Sequence, residues 1–348
     1  MAAPTHVPVR PDWLALRDEA ALDSGMPILD AHHHLWDRPQ GQRYLFDELL
    51  ADMASGHDIR ATVFVQSRSM YRPDLPEAFK PVGEVEFANG VAAQAASGLY
   101  GRHQACAGIV AHADLRLGER LEPVLEALSR AGGSRLRGIR NQTAWHSDPA
   151  IASNPVPPEE GIMRDPAFAA GVRLLAHRGL VLDIWAYHTQ LDEVAALADA
   201  CPETKIVLDH CGGPLGAGPY RGRRNEVFAQ WSAAMAALAR RPNLRVKLGG
   251  LAMRVGGSDF HEALLPPSSE QLAEAWSPYI LRCIELFGPQ RCMFESNFPV
   301  DKGMVGYGVL WNGFKRIVAS FSPHERAWLF HRAAMETYRL DLSLTETG

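Results

Sequence analysis

Met26-Pro27-Ile28-Leu29-Asp30-Ala31-His32-His33-His34 decides how this chain is read. The apolar start predicts a strand over Pro27–Ala31, and the histidines stand at its end. Side chains alternate along a strand, so Asp30, His32 and His34 are expected on one face and His33 on the other. Two imidazoles on one face at a strand end supply half of a metal site. A histidine-rich surface loop is the simpler alternative. It loses ground because further histidines close later strand-like segments, at His188 and His210.

Seven more strand signals follow: Ala61–Gln66, Ala105–Ala111, Leu136–Asn141, Leu180–Tyr187, Lys205–His210, Leu244–Leu248 and Arg291–Ser296. Several are near-continuous apolar runs, as expected of strands covered on both faces. Helical spacing recurs between them, most clearly in Leu121–Arg130, Phe168–His177, Leu191–Ala200, Phe228–Arg240 and Leu272–Phe287. Eight strands alternating with helices predict a (β/α)8 TIM barrel in a single domain over residues 26–340. Residues 1–25 are an expected N-terminal extension, with a helix around Trp13–Leu22. An open doubly wound sheet is disfavoured, because no G-x-G-x-x-G follows the first strand. The loops 141–160, 211–225 and 249–269 are long and should gather at one end of the barrel, where reaction sites are built.

Composition sets bounds. A hydrophobic fraction of 47% supports a sizeable core, and a net charge of -5 gives no reason to expect nucleic acid or an anionic membrane. No apolar run has the length of a membrane span. The first ten residues lack the apolar centre of a signal peptide, so a cytoplasmic location is expected. The five cysteines are scattered and never form a C-x-x-C pair, which argues for reduced thiols and against a cysteine-ligated zinc.

Parity gathers the chemistry. Leu182, Ile184, Ala186 and His188 should share a face, as should Ile206, Leu208 and His210, and Met293, Glu295 and Asn297. With these faces turned inward, four histidines and an amide converge at the barrel mouth. Neutral imidazoles suit zinc, manganese or iron and leave a position for water or substrate. Gln66 and Tyr71 after the second strand and Lys247 on the seventh are further candidates for substrate contact. Arg72, His112, Asp114 and His146 are weaker ones, and Trp36 and Phe298 are expected in the pocket wall.

Asp30-Ala31-His32-His33-His34-Leu35-Trp36-Asp37, Gly138-Ile139-Arg140, Tyr187-His188-Thr189-Gln190-Leu191, Val207-Leu208-Asp209-His210-Cys211-Gly212-Gly213-Pro214, Val246-Lys247-Leu248-Gly249-Gly250-Leu251 and Met293-Phe294-Glu295-Ser296-Asn297-Phe298-Pro299 together resemble the amidohydrolase superfamily. The likeness is to its branch of sugar lactonases and 2-pyrone-4,6-dicarboxylate lactonase, with muconate-type decarboxylases as more distant cousins. The resemblance implies a metal pair at His32 and His34, a ligand or substrate contact at His188, and a metal ligand or acid/base group at His210. It places Arg140 on a substrate carboxylate or carbonyl, where a guanidinium donates two parallel hydrogen bonds.

One position departs from the family. The last strand usually ends in Gly-Ser-Asp-Trp-Pro, and Asn297 stands where the aspartate would be. An amide cannot act as a base near neutral pH. Glu295 is either the substitute base or ligand, or a buried partner of Lys247 or an arginine; Asp301 is a second source of a base. The expectation is a metal-dependent hydrolase opening a lactone or similar ester. Its divalent ion would be zinc, or manganese, held by His32, His34 and His188, with metal-free catalysis left open. Catalysis would fall to His210, Glu295 and Asn297. The rivals are a non-oxidative decarboxylase or hydratase on the same barrel and a degenerate binder of small acids. Partners are a small carboxylated or hydroxylated substrate and, on base rates for oligomers, a second copy in a homodimer.

Overall fold

The computed structural model describes residues 6–38 and 42–342. Eight parallel strands lie in chain order around one sheet: β1 (Pro27–His33), β4 (Asp58–Val65), β5 (Gln104–Ala111), β6 (Leu136–Gln142), β7 (Val181–Trp185), β8 (Ile206–Leu208), β9 (Leu244–Leu248) and β10 (Cys292–Phe294). A hairpin of β2 (Trp36–Arg38) and β3 (Gln42–Tyr44) follows β1. The sheet closes on itself just past β10. His34 N donates to Phe298 O at 2.7 Å, and Asn297 N donates to His32 O at 2.9 Å. The architecture is the (β/α)8 barrel, and the eight expected strands are its eight strands.

Helices cover the outside because the strands carry apolar side chains on both faces. Ile28, Phe64, Leu182, Ile184, Ile206, Leu208 and Phe294 belong to the outer layer under the helices. Leu29, Ala31, Val63, Val110, Val181, Val207 and Met293 fill the interior. The helices Glu122–Gly132, Pro166–His177, Leu191–Ala200, Arg224–Leu238 and Ser269–Phe287 fall where helical spacing placed them. Helices Val82–Ala96 and Tyr307–Ile317 were not expected; the first is rich in alanine and glycine and has little amphipathic contrast.

Two expectations need correction here. Leu182, Ile184, Ile206 and Leu208 face outward, so the inward residues of β7 and β8 are Val181, Asp183, Val207 and Asp209. On β1 the register shifts between Asp30 and His33, which breaks strict alternation. Asp30 therefore accepts from Tyr307 and from the amide of Ser296, while Ala31 and His32 are the inward pair.

Among the described residues, the extension is helical only over Pro11–Leu14. Three of its polar groups bond to the rest of the fold. Trp13 Nε1 donates to Ala263 O (3.1 Å), Arg17 Nε to Pro266 O (3.2 Å) and Leu22 N to Asn312 Oδ1 (2.8 Å). All five cysteines are buried and free. Among the described residues, no helix is long and apolar enough to cross a membrane.

At the chain's end, helix Ala333–Tyr338 packs on the barrel interior through Ala333, Ala334 and Tyr338. The Tyr338 hydroxyl donates to Asp183 Oδ2 at 2.9 Å. That bond ties the last helix to the charged centre of the barrel. Tyr338→Phe is expected to lower the unfolding free energy by about 1–3 kcal/mol, because a buried carboxylate loses a donor. Urea melts measure it; an unchanged midpoint would mean that the bond contributes nothing.

Candidate active site

His32 is the centre of the site. It is fully buried, and both ring nitrogens are engaged. Nδ1 lies 3.0 Å from Glu295 Oε2 and 3.1 Å from Lys247 Nζ. Nε2 lies 3.2 Å from His34 Nε2 and 3.3 Å from Arg140 Nη1. Glu295 carries only acceptors, and Arg140, which has only donors, points Nη1 at the Nε2 lone pair, so we assign the ring proton to Nδ1, in contact with Glu295 Oε2. His34 Nδ1 donates to Val65 O at 2.8 Å. Each imidazole thus spends its Nδ1–H on a protein oxygen and turns its Nε2 lone pair toward the other.

The other carboxylate oxygen holds His210. Glu295 Oε1 accepts from His210 Nδ1 at 2.7 Å and from its backbone N at 3.0 Å. His210 and Cys211 have φ of 55° and 52°, which ends β8 early and swings the His210 ring inward beside His32. Asn297, at φ 55°, does the same after β10. The left-handed turns follow strands that are shorter than the expected Lys205–His210 and Arg291–Ser296. The neighbouring Gly249-Gly250 makes room for the pair. A Cβ on Gly250 would stand 2.4 Å from the His210 ring, and one on Gly249 would stand 2.4 Å from Glu295 O.

Charge is balanced beneath the imidazoles. Lys247 Nζ is 2.6 Å from Asp183 and 3.1 Å from Asp209, and Arg140 Nη1 is 3.4 Å from Asp209 Oδ2. Burial lowers the basicity of His32 and His34 far below the ordinary histidine range, and the charges of Lys247 and Arg140 add to it. Both rings are therefore neutral at neutral pH. Burial works the other way on Glu295, but His210 and His32 on its two oxygens outweigh it and hold the carboxyl down to about 2. Burial pushes Asp301 up to about 7, although its Oδ1 accepts from Asn297 Nδ2 at 2.8 Å.

A cavity of about 480 Å³ opens over this centre. His34, Arg140, His210 and Asn297 reach it from below, and Trp36, Trp185 and Met253 wall it. Trp185 is pinned by Ser153, whose Oγ accepts from Nε1 at 2.9 Å. Loop 141–160 thereby supplies one side of the cavity, as its length suggested.

Other expected residues are placed elsewhere. His188 does not join the group: its Nδ1 accepts from Leu215 N at 3.3 Å and its ring packs edge-on against Tyr220. Among the described residues, the group of three close enough to share an ion is His32, His210 and Glu295; it contains neither His34 nor His188. Gln66 touches Arg140 through its backbone, its carbonyl accepting from Nη2 at 2.8 Å. Lys247 lies under His32, and neither it nor Tyr71 lines the cavity. Phe298 packs on Tyr307, Arg72 pairs with Asp74, Asp114 with Arg116, and His146 bonds Tyr220. Asp183 and Asp209 were missed because parity was counted from the leucines. A lone aspartate inside each apolar run was the available signal. Trp185 was missed by the same miscounted parity on β7, and Arg38, Arg68 and His6 because a short hairpin, a loop and an extension carry no period to count.

Glu295 also makes stability depend on acid. Its carboxyl ionises more readily folded than unfolded, so its contribution is full above the ordinary value of 4.5 and fades as pH falls toward 2. Glu295→Gln is expected to cost on the order of 3 kcal/mol at pH 7 and to flatten the acid limb of the melting curve between those values. An identical acid limb in thermal melts of the variant would contradict this.

Comparison with known proteins agrees with the geometry. The family model for amidohydrolases matches residues 29–340. The uncharacterized protein y4mH of Sinorhizobium fredii is 31% identical over 341 residues, which is 91% of this chain and 100% of that protein. The L-fucono-1,5-lactonase of Burkholderia multivorans is 27% identical over 323 residues, 90% of this chain and 96% of its own. A crystal structure of a zinc-bound amidohydrolase from Burkholderia multivorans superposes with a TM-score of 0.70 at 26% identity, covering 90% of this chain and 99% of that one. With the family matched across most of its length and the histidine pair at the strand end, the chain belongs to the amidohydrolase family and is a hydrolase.

Proposed function

We propose that this enzyme opens a lactone with water, assisted by a divalent metal held at His32 and His34. The observation that carries the reading is the pair of Nε2 atoms 3.2 Å apart, each on a ring whose Nδ1–H is already committed. Two lone pairs facing each other cannot bond; Arg140 Nη1 reaches only that of His32, at 3.3 Å, whereas a shared cation would satisfy both, and the carboxylate and carbonyl behind them orient such ligands. The lactonase relative and the zinc-bound neighbour support the same reading. When bound, the ion would polarise the lactone carbonyl or ease deprotonation of water.

The chain's own residues supply the rest. Glu295 fixes the His210 ring by its Nδ1–H, which leaves Nε2 as the nitrogen able to take a proton from the attacking water. Water adds to the carbonyl carbon, the bond from that carbon to the ring oxygen breaks, and His210 returns the proton to the departing oxygen. The product is the open hydroxy acid. Arg140, fixed by Gln66 O and Asp209, offers its guanidinium to the substrate oxygens from the cavity floor. Glu295, considered earlier as a base, serves here to orient His32 and His210, because a carboxyl held near 2 is a poor proton acceptor at neutral pH. Asn297 donates to Asp301 and lines the cavity.

Protein grown with zinc and manganese should contain a divalent ion by elemental analysis. His32→Ala and His34→Ala should both lose it, with lactone turnover down by about a hundredfold or more; His188→Ala should keep its metal. Undiminished metal in both of the first two variants would remove the proposed site. Arg140→Lys keeps the charge but loses the fork, and kcat/KM should fall at least about tenfold. Steady-state kinetics on a responsive lactone would reveal an unaltered value if Arg140 does not meet substrate.

A further inference from the structure

The cavity carries more positive charge than lactone opening needs. Arg38 and Arg68 line it together with Arg140, and among the described residues its wall contains no aspartate or glutamate. Arg140 is buried at the floor, whereas Arg38 and Arg68 are half-buried nearer the mouth. Neither of the outer pair forms an ion pair with a carboxylate among the described residues. Arg38 lies flat over Trp36, 3.8 Å from its ring, and Arg68 makes one long bond to Val156 O at 3.4 Å. Half-buried guanidiniums with unfilled donors lose hydration without a partner in return.

Both are held in place. Arg68 has φ 59°, an uncommon conformation for a residue with a Cβ. Buried Glu84 fixes that turn, its Oε1 accepting from Ser67 N and Ser69 N, each at 2.8 Å. The charge of Glu84 reaches both arginines, but the residue does not line the cavity. Burial raises its carboxyl to about 7, so at neutral pH it cancels only part of their charge. His6, stacked on Trp36 and lining the same cavity, adds no charge; burial and then Arg38 hold it at about 4, neutral.

We propose that Arg38 and Arg68 form an anion subsite, so that the substrate is a lactone bearing a carboxylate at the end remote from its reacting carbonyl. A cavity of about 480 Å³ has room for such a two-ended molecule. The carbonyl end would meet His34, His210 and Arg140, and the carboxylate would take the forks of the outer pair. The inference rests on the lactone-opening reading.

The test compares a neutral aldonolactone with the aldarolactone of the same ring size, which differs by a terminal carboxylate. Wild-type kcat/KM is expected to favour the aldarolactone at least about tenfold. Raising salt from about 0.02 to about 0.5 M should shrink that ratio. Arg38→Gln and Arg68→Gln should each reduce it about tenfold. Turnover of both lactones at equal efficiency would overturn the subsite and leave the hydrolase reading standing. Turnover of neither would count against lactone opening, and calorimetry would then decide the subsite by itself. An open-chain aldarate should bind the wild type about tenfold more tightly than the aldonate, with the difference lost in Arg68→Gln; equal affinities would end the proposal.

Discussion

The barrel is closed through its own chemistry. The seam between the first and last strands runs through His32 O, His34 N and the carboxylate of Asp30, which accepts the Ser296 amide. The same short segments carry the imidazoles, Glu295 and Asn297. Parallel strands must satisfy every backbone group with a neighbour, and here the closing pair is brief and irregular. The backbone bonds that complete the cylinder therefore also fix the rings that would bind an ion. Neither could shift by much without the other.

Beneath that seam sits a group of buried charges that no single strand could tolerate. Lys247 faces Asp183 and Asp209 beside Glu295 with no access to water, and Arg140 joins Asp209 from the cavity floor. Taking such ions out of water is expensive, and they persist only when mutually paired. Tyr338 supplies one more donor from the last helix. The result is a polar floor of fixed geometry under two neutral imidazoles. Neutral nitrogen at the centre and cationic guanidinium toward the mouth divide the cavity by function. The first suits a metal or a proton transfer, and the second suits an anion.

Much of this was legible in the chain. Long apolar runs alternating with helical spacing defined the barrel, since covered parallel strands have no other pattern available. The histidines stood out because polar residues at the ends of such runs have few structural reasons to be there. Parity was reliable on β9 and β10, where Lys247, Met293 and Glu295 do face inward. It failed on β7 and β8, where the leucines pack under helices and lone aspartates point inside. His188 was grouped with the ligands by that same count, and the structure sets it against Tyr220.

The sequence by itself determined the number and order of the strands, the family and the presence of an imidazole cluster at one barrel end. Those follow from local periodicity and residue type, which neighbours along the chain suffice to express. Only the tertiary structure decided which nitrogens face each other, which carboxylates lie under them and which arginines reach the cavity. Those depend on a register shift in β1, on left-handed turns at His210, Asn297 and Arg68, and on contacts between segments hundreds of residues apart. Side-chain direction at a strand end is set by one or two backbone dihedrals, and alternation cannot be extrapolated through them.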